Sequence, residues 1–445
     1  MVLTKNIIIN TKPQTCNNFK ILSKIPIQYE WSFSDKTIKD TAYITHGIYT
    51  YPAKFIPQLA KKIIKKYSNK DDIIIDPFMG SGTTIIEAII NNRIGIGTDV
   101  NEIAVLLSKV KATPIDYNLL TNQYFDFMFH LQEKFRLNFV KELKNAQKNI
   151  KLPARVDYWF KPHIKDRLIV ILYNILKIKN SDIKDFFLIT FAQILKSCSI
   201  WLQKSVKPTR DLKKKEIEPL YKFQWQAKKM LKKYNDFNDL VSQKIKTDIK
   251  KYRIVKNSDA RNLPCGNKEA TLIVTSPPYV TSYEYADLHQ LPLLWFGFLK
   301  ELSSFRKKFI GSSFRQRNSI ELKSKIAKNI VFELGNNKLS RGVENYFADM
   351  LESFIEMKRV LKKGGKTAIV IGNTKLKGVE ILNAEVFKEQ LENIGFTVHD
   401  IIHREIPSKM LPSTRDPKNG RFTKATNDKK SLVYPTEYIL IMEKK

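Results

Sequence analysis

The sequence predicts an α/β protein of Rossmann-like, doubly wound type, with a mostly parallel sheet interrupted by a largely helical insertion. Three observations carry this. Asp72-Ile73-Ile74-Ile75, the turn Asp76-Pro77-Phe78-Met79-Gly80-Ser81-Gly82-Thr83-Thr84 and the run Ile85-Ile86-Glu87-Ala88-Ile89-Ile90 read as strand, glycine turn and helix, the first half of a βαβ unit. A second buried-strand run, Ala270-Thr271-Leu272-Ile273-Val274, leads into the turn Thr275-Ser276-Pro277-Pro278-Tyr279. Between them, residues 115–250 place Phe, Leu, Ile, Trp and Lys at helical spacing.

Composition bounds the function. The chain has 445 residues, 43% of them hydrophobic, which is enough for a sizeable core and more than one small domain needs. A formal net charge of +33 favours polyanionic partners, nucleic acid first. Richness in Lys, Asn and Ile is also common in proteins from AT-rich genomes, so the charge gains its weight from the motifs beside it. Cys16, Cys198 and Cys265 are far apart and form no Cys-x-x-Cys pair, which argues against structural zinc and suits a reducing cytoplasm. The first ten residues lack the apolar core of a signal peptide, and no uncharged run approaches a membrane span, so a cytoplasmic location is expected.

In chain order, residues 1–44 read as an N-terminal extension with a short strand or two. The segment from Thr45 to Pro57, with His46, Tyr51, Lys54 and Phe55, precedes a helix through Leu59-Ala60-Lys61-Lys62-Ile63-Ile64. In the glycine turn, Gly80 and Gly82 let the backbone bend and approach a ligand without Cβ clashes. The helix that opens at Thr83 offers free N–H groups and a positive dipole end. Asp76, at the carboxyl end of the first strand, suits a positively charged ligand group such as the amino group of a methionine moiety. Strand two runs from Ile94 to Thr98, and Asp99 at its end is placed to accept both hydroxyls of a ribose. A bare helix cap is the other reading of Asp99, and Glu102 is a competing ribose ligand.

The two motifs together resemble a known family. Asp-Pro-Phe-x-Gly-Ser-Gly-Thr-Thr with Ser-Pro-Pro-Tyr is similar to the S-adenosylmethionine-dependent amino-methyltransferases of DNA, which methylate an exocyclic base nitrogen. The Ser of Ser-Pro-Pro-Tyr is most like the cytosine-N4 members; adenine-N6 members more often carry Asp or Asn there. The resemblance covers roughly residues 45–114 and 251–445. It implies the class I methyltransferase fold, with a terminal antiparallel pair of strands, and S-adenosyl-L-methionine as cofactor. It implies double-stranded DNA as partner, within a restriction-modification system whose nuclease acts separately. Asp76, Phe78, Gly80, Gly82, Thr83 and Asp99 then line the cofactor, with His46 and Tyr51 closing over its methionine end. For Tyr51 and Phe55, packing of the helix against the sheet is an equal alternative.

After the insertion, strand character returns at Arg253-Ile254-Val255, and the resemblance makes Asp259 the acceptor for the cofactor's adenine amino group. Pro264-Cys265 is the nucleophile pair of cytosine-C5 methyltransferases, but it lies upstream of the catalytic strand, whose turn Ser-Pro-Pro-Tyr already fills. The aromatics of Val280–His289 either edge a base pocket or pack, and a helix is expected from Leu291 to Leu299. Residues 300–345 look basic and loop-rich, with Arg306-Lys307-Lys308 and Arg315-Gln316-Arg317. A helix from Tyr346 to Leu361 stops at Lys362-Lys363-Gly364-Gly365, strand Thr367–Ile371 follows, and helix Ala384–Ile394 stops at Gly395. Two final strands, Thr397–Ile402 and Tyr438–Met442, flank a long loop from Pro407 to Pro435.

Methylating an exocyclic amine requires extracting the base from the stack, holding its nitrogen in line, and accepting the amine hydrogens. Ser276 Oγ and the Pro277 carbonyl are suited to accept those hydrogens. Pro278 stiffens the turn, and Tyr279 offers a flat face to the flipped base. The expected activity is cytosine-N4 methylation of DNA, with adenine-N6 methylation next, an RNA-base enzyme after it, and an inactive DNA-binding module as the rival of another class. Lys204, Lys207, Arg210 and Lys213-Lys214-Lys215 make 115–250 a candidate DNA-recognition region, with 300–345 its competitor.

Overall fold

A computed structural model describes residues 19–52, 54, 56–205, 207–280, 285–299, 301–312, 321–406, 414–415, 431–432 and 435–445. Its frame is a seven-stranded sheet: β1 (Ile73–Asp76), β2 (Ile94–Asp99), β3 (Arg253–Asn257), β4 (Ala270–Thr275), β5 (Leu361–Ile371), β6 (Phe396–Glu405) and β7 (Thr436–Lys444). The spatial order is β3-β2-β1-β4-β5-β7-β6. The first five strands pair in parallel, and β7 runs antiparallel to both β5 and β6. This is the expected mostly parallel sheet with an antiparallel pair at its end. The chain moves outward from β1 to β3, then restarts on the other side at β4. The switch point therefore lies between β1 and β4, and open α/β sheets bind ligands beyond the carboxyl ends of the strands there.

The strands are apolar on both faces, as a covered parallel sheet demands. Ile74, Leu272, Val274, Ala368, Val370, Ile439 and Ile441 point to one side, against Leu59, Ile63 and Ile64 of helix α1 (Pro57–Tyr67). Their neighbours Ile75, Ile273, Ile369, Ile371, Leu440 and Met442 point to the other. There they meet α10 (Lys338–Val360) and α11 (Asn383–Asn393) through Phe347, Phe354 and Phe387. Each fully buried Val, Ile, Leu, Met or Phe side chain among these contributes about 1.5–3 kcal/mol. Helices α2 (Thr83–Ile90) and α3 (Glu102–Lys111) complete the first half.

The insertion is helical, as expected: α4 (Tyr117–Leu137), α5 (Phe139–Asn149), α6 (Pro162–Leu176), α7 (Ser181–Cys198) and α8 (Pro219–Leu240). Asp116, Asn180 and Glu218 cap three of them by accepting backbone N–H groups. It is not a separate body. Phe186, Phe187, Phe223 and Tyr234 share one continuous core with Ile103 and Leu107 of α3, and with Trp295 beyond the catalytic motif.

Four expectations are corrected. In the described part of the N-terminal extension, 19–44, single turns and a four-residue helix stand in place of strands, while residues 1–18 lie outside the described residues; Ile27 makes one bridge to His403, and Trp31 packs beneath α1. Gly364-Gly365 is not a helix stop, because α10 ends at Val360 and β5 begins at once. The two glycines form a bulge, with Gly364 at φ 72°, across which the partner of Ala270 is Leu361 and that of Leu272 is Lys366. Among its described residues, the stretch 300–345 is more helical than loop-like, with Leu302–Arg306, α9 (Lys325–Glu333) and the start of α10. Ser324 and Asn337 cap the last two, while Ile326, Ala327 and Ile330 bury one face that the many Lys and Asn residues obscure in sequence. The helix expected at Leu291–Leu299 is shorter, Gln290–Trp295. Thr281–Glu284, Arg315-Gln316-Arg317, Phe55, Cys16 and most of the 407–435 loop lie outside the described residues.

Candidate active site

An open cleft lies over the carboxyl ends of β1, β2, β3 and β4, lined by residues that follow each of these strands, where open α/β sheets bind ligands. One wall is the glycine turn. Gly80 and Gly82 take left-handed conformations, φ 45° and 75°, which other residues adopt only with strain. They serve different ends. A Cβ on Gly80 would meet the Tyr51 ring at 3.2 Å, so this glycine keeps the cleft open beneath Tyr51. A Cβ on Gly82 would meet Ser108 at 2.8 Å; Gly82 faces α3, away from the cleft, and lets that helix approach. Ser81 and Thr83 line the cleft at the start of α2. Among the described residues their hydroxyls are buried with no hydrogen-bond partner, which is costly unless a ligand completes them.

Asp76 is 1% exposed. Its Oδ1 accepts the Thr275 hydroxyl at 2.7 Å and the Phe78 N–H at 3.1 Å, so it ties the ends of β1 and β4 together under the cleft floor. Burial pushes its carboxyl up to about 6. Asp99 faces the cleft and also pins two loops, accepting N–H groups from Gly80 at 3.0 Å and Asn101 at 2.9 Å. Burial pushes it, too, up to about 6. The helix-cap reading belongs to Asn101, whose side chain accepts from Ile103. Glu102 is not among the lining residues; it pairs with Lys308 at the edge of the cleft, at 3.2 Å. Asp259 lines the cleft and is held by Arg261, whose guanidinium also reaches the fully buried Asp349 at 2.8 Å. Phe78 and Tyr51 complete the apolar wall.

The Ser-Pro-Pro-Tyr turn forms the opposite rim. Ser276 and Pro278 line the cleft, while Pro277 is buried beneath them. Three contacts fix the turn. The Tyr279 hydroxyl donates to Glu437 Oε2 at 3.0 Å; Glu437 Oε1 accepts from Arg404 at 2.9 Å; the Tyr346 hydroxyl donates to the Pro278 carbonyl at 2.7 Å. The Tyr279 ring lies against Gly372, where a Cβ would stand 3.2 Å from it. Burial and the Glu437 charge hold the Tyr279 phenol far above its usual range, so it stays protonated.

His46 is not brought to the cleft. It is fully buried behind the glycine turn, with Nε2 2.8 Å from Glu87 Oε1, and burial holds it neutral. Its backbone carbonyl does reach the site, accepting from Lys54 Nζ at 2.9 Å. Lys54 lines the cleft, and burial lowers its ammonium to about 8. Sequence reasoning missed the fully buried Lys111, which donates to the Ser81 carbonyl at 2.7 Å from the far side of the turn. It also missed Lys308, Phe309 and Ile310, which close one edge of the cleft from a stretch read only as basic. Cys265 stands apart, with its thiol pushed up to about 11, which is no environment for a thiolate nucleophile. Among the described residues there is no cluster of three or more metal-ligating side chains, and no helix is long and apolar enough to cross a membrane.

A fold of this order, with a Gly-turn cleft at its switch point and a Ser-Pro-Pro-Tyr rim, defines a DNA methylase, and comparison with known proteins agrees. The DNA methylase family model matches residues 5–110 and 270–445, and the chain belongs to this N6/N4 DNA methylase family. Similar proteins include the type II methyltransferase M.MvaI of Kocuria varians, 28% identical across 85% of this chain and 88% of its own. M.MjaII of Methanocaldococcus jannaschii is 25% identical, covering 89% and 82%, and M.BsoBI of Geobacillus stearothermophilus is 24% identical, covering 79% and 78%. The family match leaves out 111–269, which holds the whole insertion.

Proposed function

We propose that this chain transfers a methyl group from S-adenosyl-L-methionine to the exocyclic N4 of cytosine in double-stranded DNA, as the modification partner of a restriction endonuclease. The observation that carries this is the position of Ser276: first residue of a rigid Pro-Pro-Tyr turn, at the carboxyl end of β4, on the rim of a cleft that also holds Asp99 and Asp259. The type II names of the relatives support the restriction-modification setting.

The residues present fit the cofactor. Unpartnered Ser81 and Thr83 hydroxyls, the N-terminus of α2 and the Lys54 ammonium would hold a carboxylate. Asp99 would accept the ribose hydroxyls, and Asp259, held in place by Arg261, an adenine amino group. Asp76 places negative charge beneath the amino end. When bound, S-adenosylmethionine supplies the electrophilic methyl of a sulfonium. The chain's own part is positional and electrostatic. Ser276 Oγ and the Pro277 carbonyl accept the N4 hydrogens, which draws the nitrogen lone pair out of conjugation with the ring and stabilises the developing positive charge. Tyr279, held by Glu437, gives the extracted base a fixed face to stack on.

In this reading residues 45–114 form the cofactor half, 251–445 the catalytic half and 115–250 the target-recognition region. The test is transfer of tritiated methyl groups to duplex DNA by the wild-type protein and by Ser276→Ala. Incorporation by the first and its loss in the second are expected; no incorporation by the wild type into any duplex overturns the proposal.

A further inference from the structure

One feature of the insertion is built differently from its solvated lysines. The Arg155 and Arg210 guanidiniums both lie against the ring of Tyr158, 4.1 and 4.2 Å from its centroid. Tyr158 is 39% exposed, and both arginines are exposed. Among the described residues neither guanidinium has a carboxylate partner. The neighbouring acids are engaged elsewhere: Asp157 pairs with Lys165, and Asp211 accepts the Lys213 N–H.

The backbone under Arg210 is fixed. Trp201 and Arg210 form a bridge, and the hydrogen bonds Leu202 to Thr209 and Asp211 to Ile200 close the loop between them. Lys214 clamps its base by donating to the carbonyls of Lys196, Ser199 and Trp201 at 2.7, 2.8 and 2.8 Å. A contiguous set of contacts then runs to the cleft. Tyr158 packs edge-on against Trp159, which stacks on Trp201 and donates to Gln290 at 3.1 Å. His289, next in the chain, stacks on the cleft residue Tyr51 with ring centroids 4.8 Å apart.

We propose that Arg155 and Arg210 are specificity-determining residues that read guanine edges in the major groove of the DNA recognition sequence. The inference rests on the reading of the chain as a DNA methyltransferase. Phosphate contact needs only charge and reach, which the nearby Lys204, Lys207, Lys213 and Lys215 supply from flexible stems. A guanidinium held on an aromatic ring has already surrendered most of its rotamer freedom. Its planar fork matches the O6 and N7 acceptors of guanine in a bidentate fashion. The two forks come from separate segments, the turn Ala154–Val156 and the strand-like end of the loop at Arg210, and both are anchored through the Trp159–Trp201 stack to Gln290 beyond the catalytic turn, so a base read here has a fixed register to the methylated one.

The experiment is selection of randomised duplex DNA by the full-length protein with S-adenosylhomocysteine, for wild type, Arg155→Ala, Arg210→Ala and the corresponding Lys variants. Thermal unfolding and cofactor binding check that each variant is folded. The wild type is expected to enrich a motif containing a G·C pair, and each Ala variant to lose roughly ten- to hundredfold discrimination at one such position while others hold. The Lys variants, which cannot fork, should lose most of it too. An unchanged motif with uniformly weaker binding and a shallower salt dependence assigns both residues to phosphate and overturns the proposal, as does a wild-type motif without a G·C pair. A wild type that enriches a motif relaxed by these variants but methylates nothing supports this inference while sinking the catalytic reading.

Discussion

Removing one oxygen, in Tyr279→Phe, tests whether the catalytic rim works as a positioned unit. The lost hydroxyl donates at 3.0 Å to Glu437, whose carboxylate is also paired with the nearly buried Arg404. A hydrogen bond to a charged group contributes about 1.5–3 kcal/mol. The ring and its packing against Gly372 remain, so little apolar burial is lost. The substitution should therefore lower stability by no more than about 1.5–3 kcal/mol. If ring orientation matters in the transition state, single-turnover methyl transfer should slow by up to roughly 10- to 150-fold. Cofactor affinity should not change, because Tyr279 is not among the residues that line the cleft. The assay pairs rapid-quench methyl transfer with calorimetric cofactor binding and denaturant unfolding. Glu437→Gln closes the double-mutant cycle, and the two changes should be markedly non-additive in rate. Full rate in Tyr279→Phe, or additive losses with Glu437→Gln, would refute the positioning argument.

Four further outcomes follow, three from the geometry and one from the charge of the chain. Ser276→Ala should reduce the transfer rate by about 10²–10³ while leaving cofactor and DNA affinity near wild type, since its acceptor matters most as charge develops; equal loss in affinity and rate would assign Ser276 to ground-state binding. Cofactor affinity should rise as pH climbs through about 6, where Asp99 ionises, and fall as pH passes about 8, where Lys54 loses its proton. Titration calorimetry should find Asp99→Asn without the acid limb and Lys54→Met without the alkaline one. The same buried acids act oppositely on folding. Asp76 and Asp99 are both raised to about 6, above the ordinary Asp value near 3.9, so the native state binds more protons between those limits. Their contribution to stability is full below about 4 and is lost as pH rises through about 6, an effect Asp76→Asn should diminish. Finally, DNA affinity should fall steeply with salt, as expected of a chain with a net charge of +33; a flat salt profile is inconsistent with phosphate contact.

Much of the frame was legible because it rests on local pattern. Ile73–Asp76, the glycine turn and α2 are contiguous, and their periodicities change where the structure changes. The Ser276–Tyr279 turn was legible for the same reason, since it follows the strand that supports it. What could not be read depends on pairs distant in the chain. Thr275 meets Asp76 across 199 positions, and Glu437 meets Tyr279 across 158. Thr275 opens the second motif, but nothing in that string points to Asp76, and Glu437 carries no motif at all. His46 shows the converse: it sits in the expected segment, yet its ring turns inward to Glu87, because a carboxylate buried on α2 needs a partner there. Gly82 belongs to the motif string but serves helix packing against Ser108. The Gly364-Gly365 bulge looked like a helix stop because a left-handed glycine ends a helix and kinks a strand through the same φ.

The most direct test of the account is the identity of the methylated base. Duplex DNA is incubated with the protein and methyl-labelled S-adenosylmethionine, digested to nucleosides and separated by mass spectrometry. The predicted product is N4-methyldeoxycytidine. A label found on adenine instead would contradict the assignment drawn from Ser276.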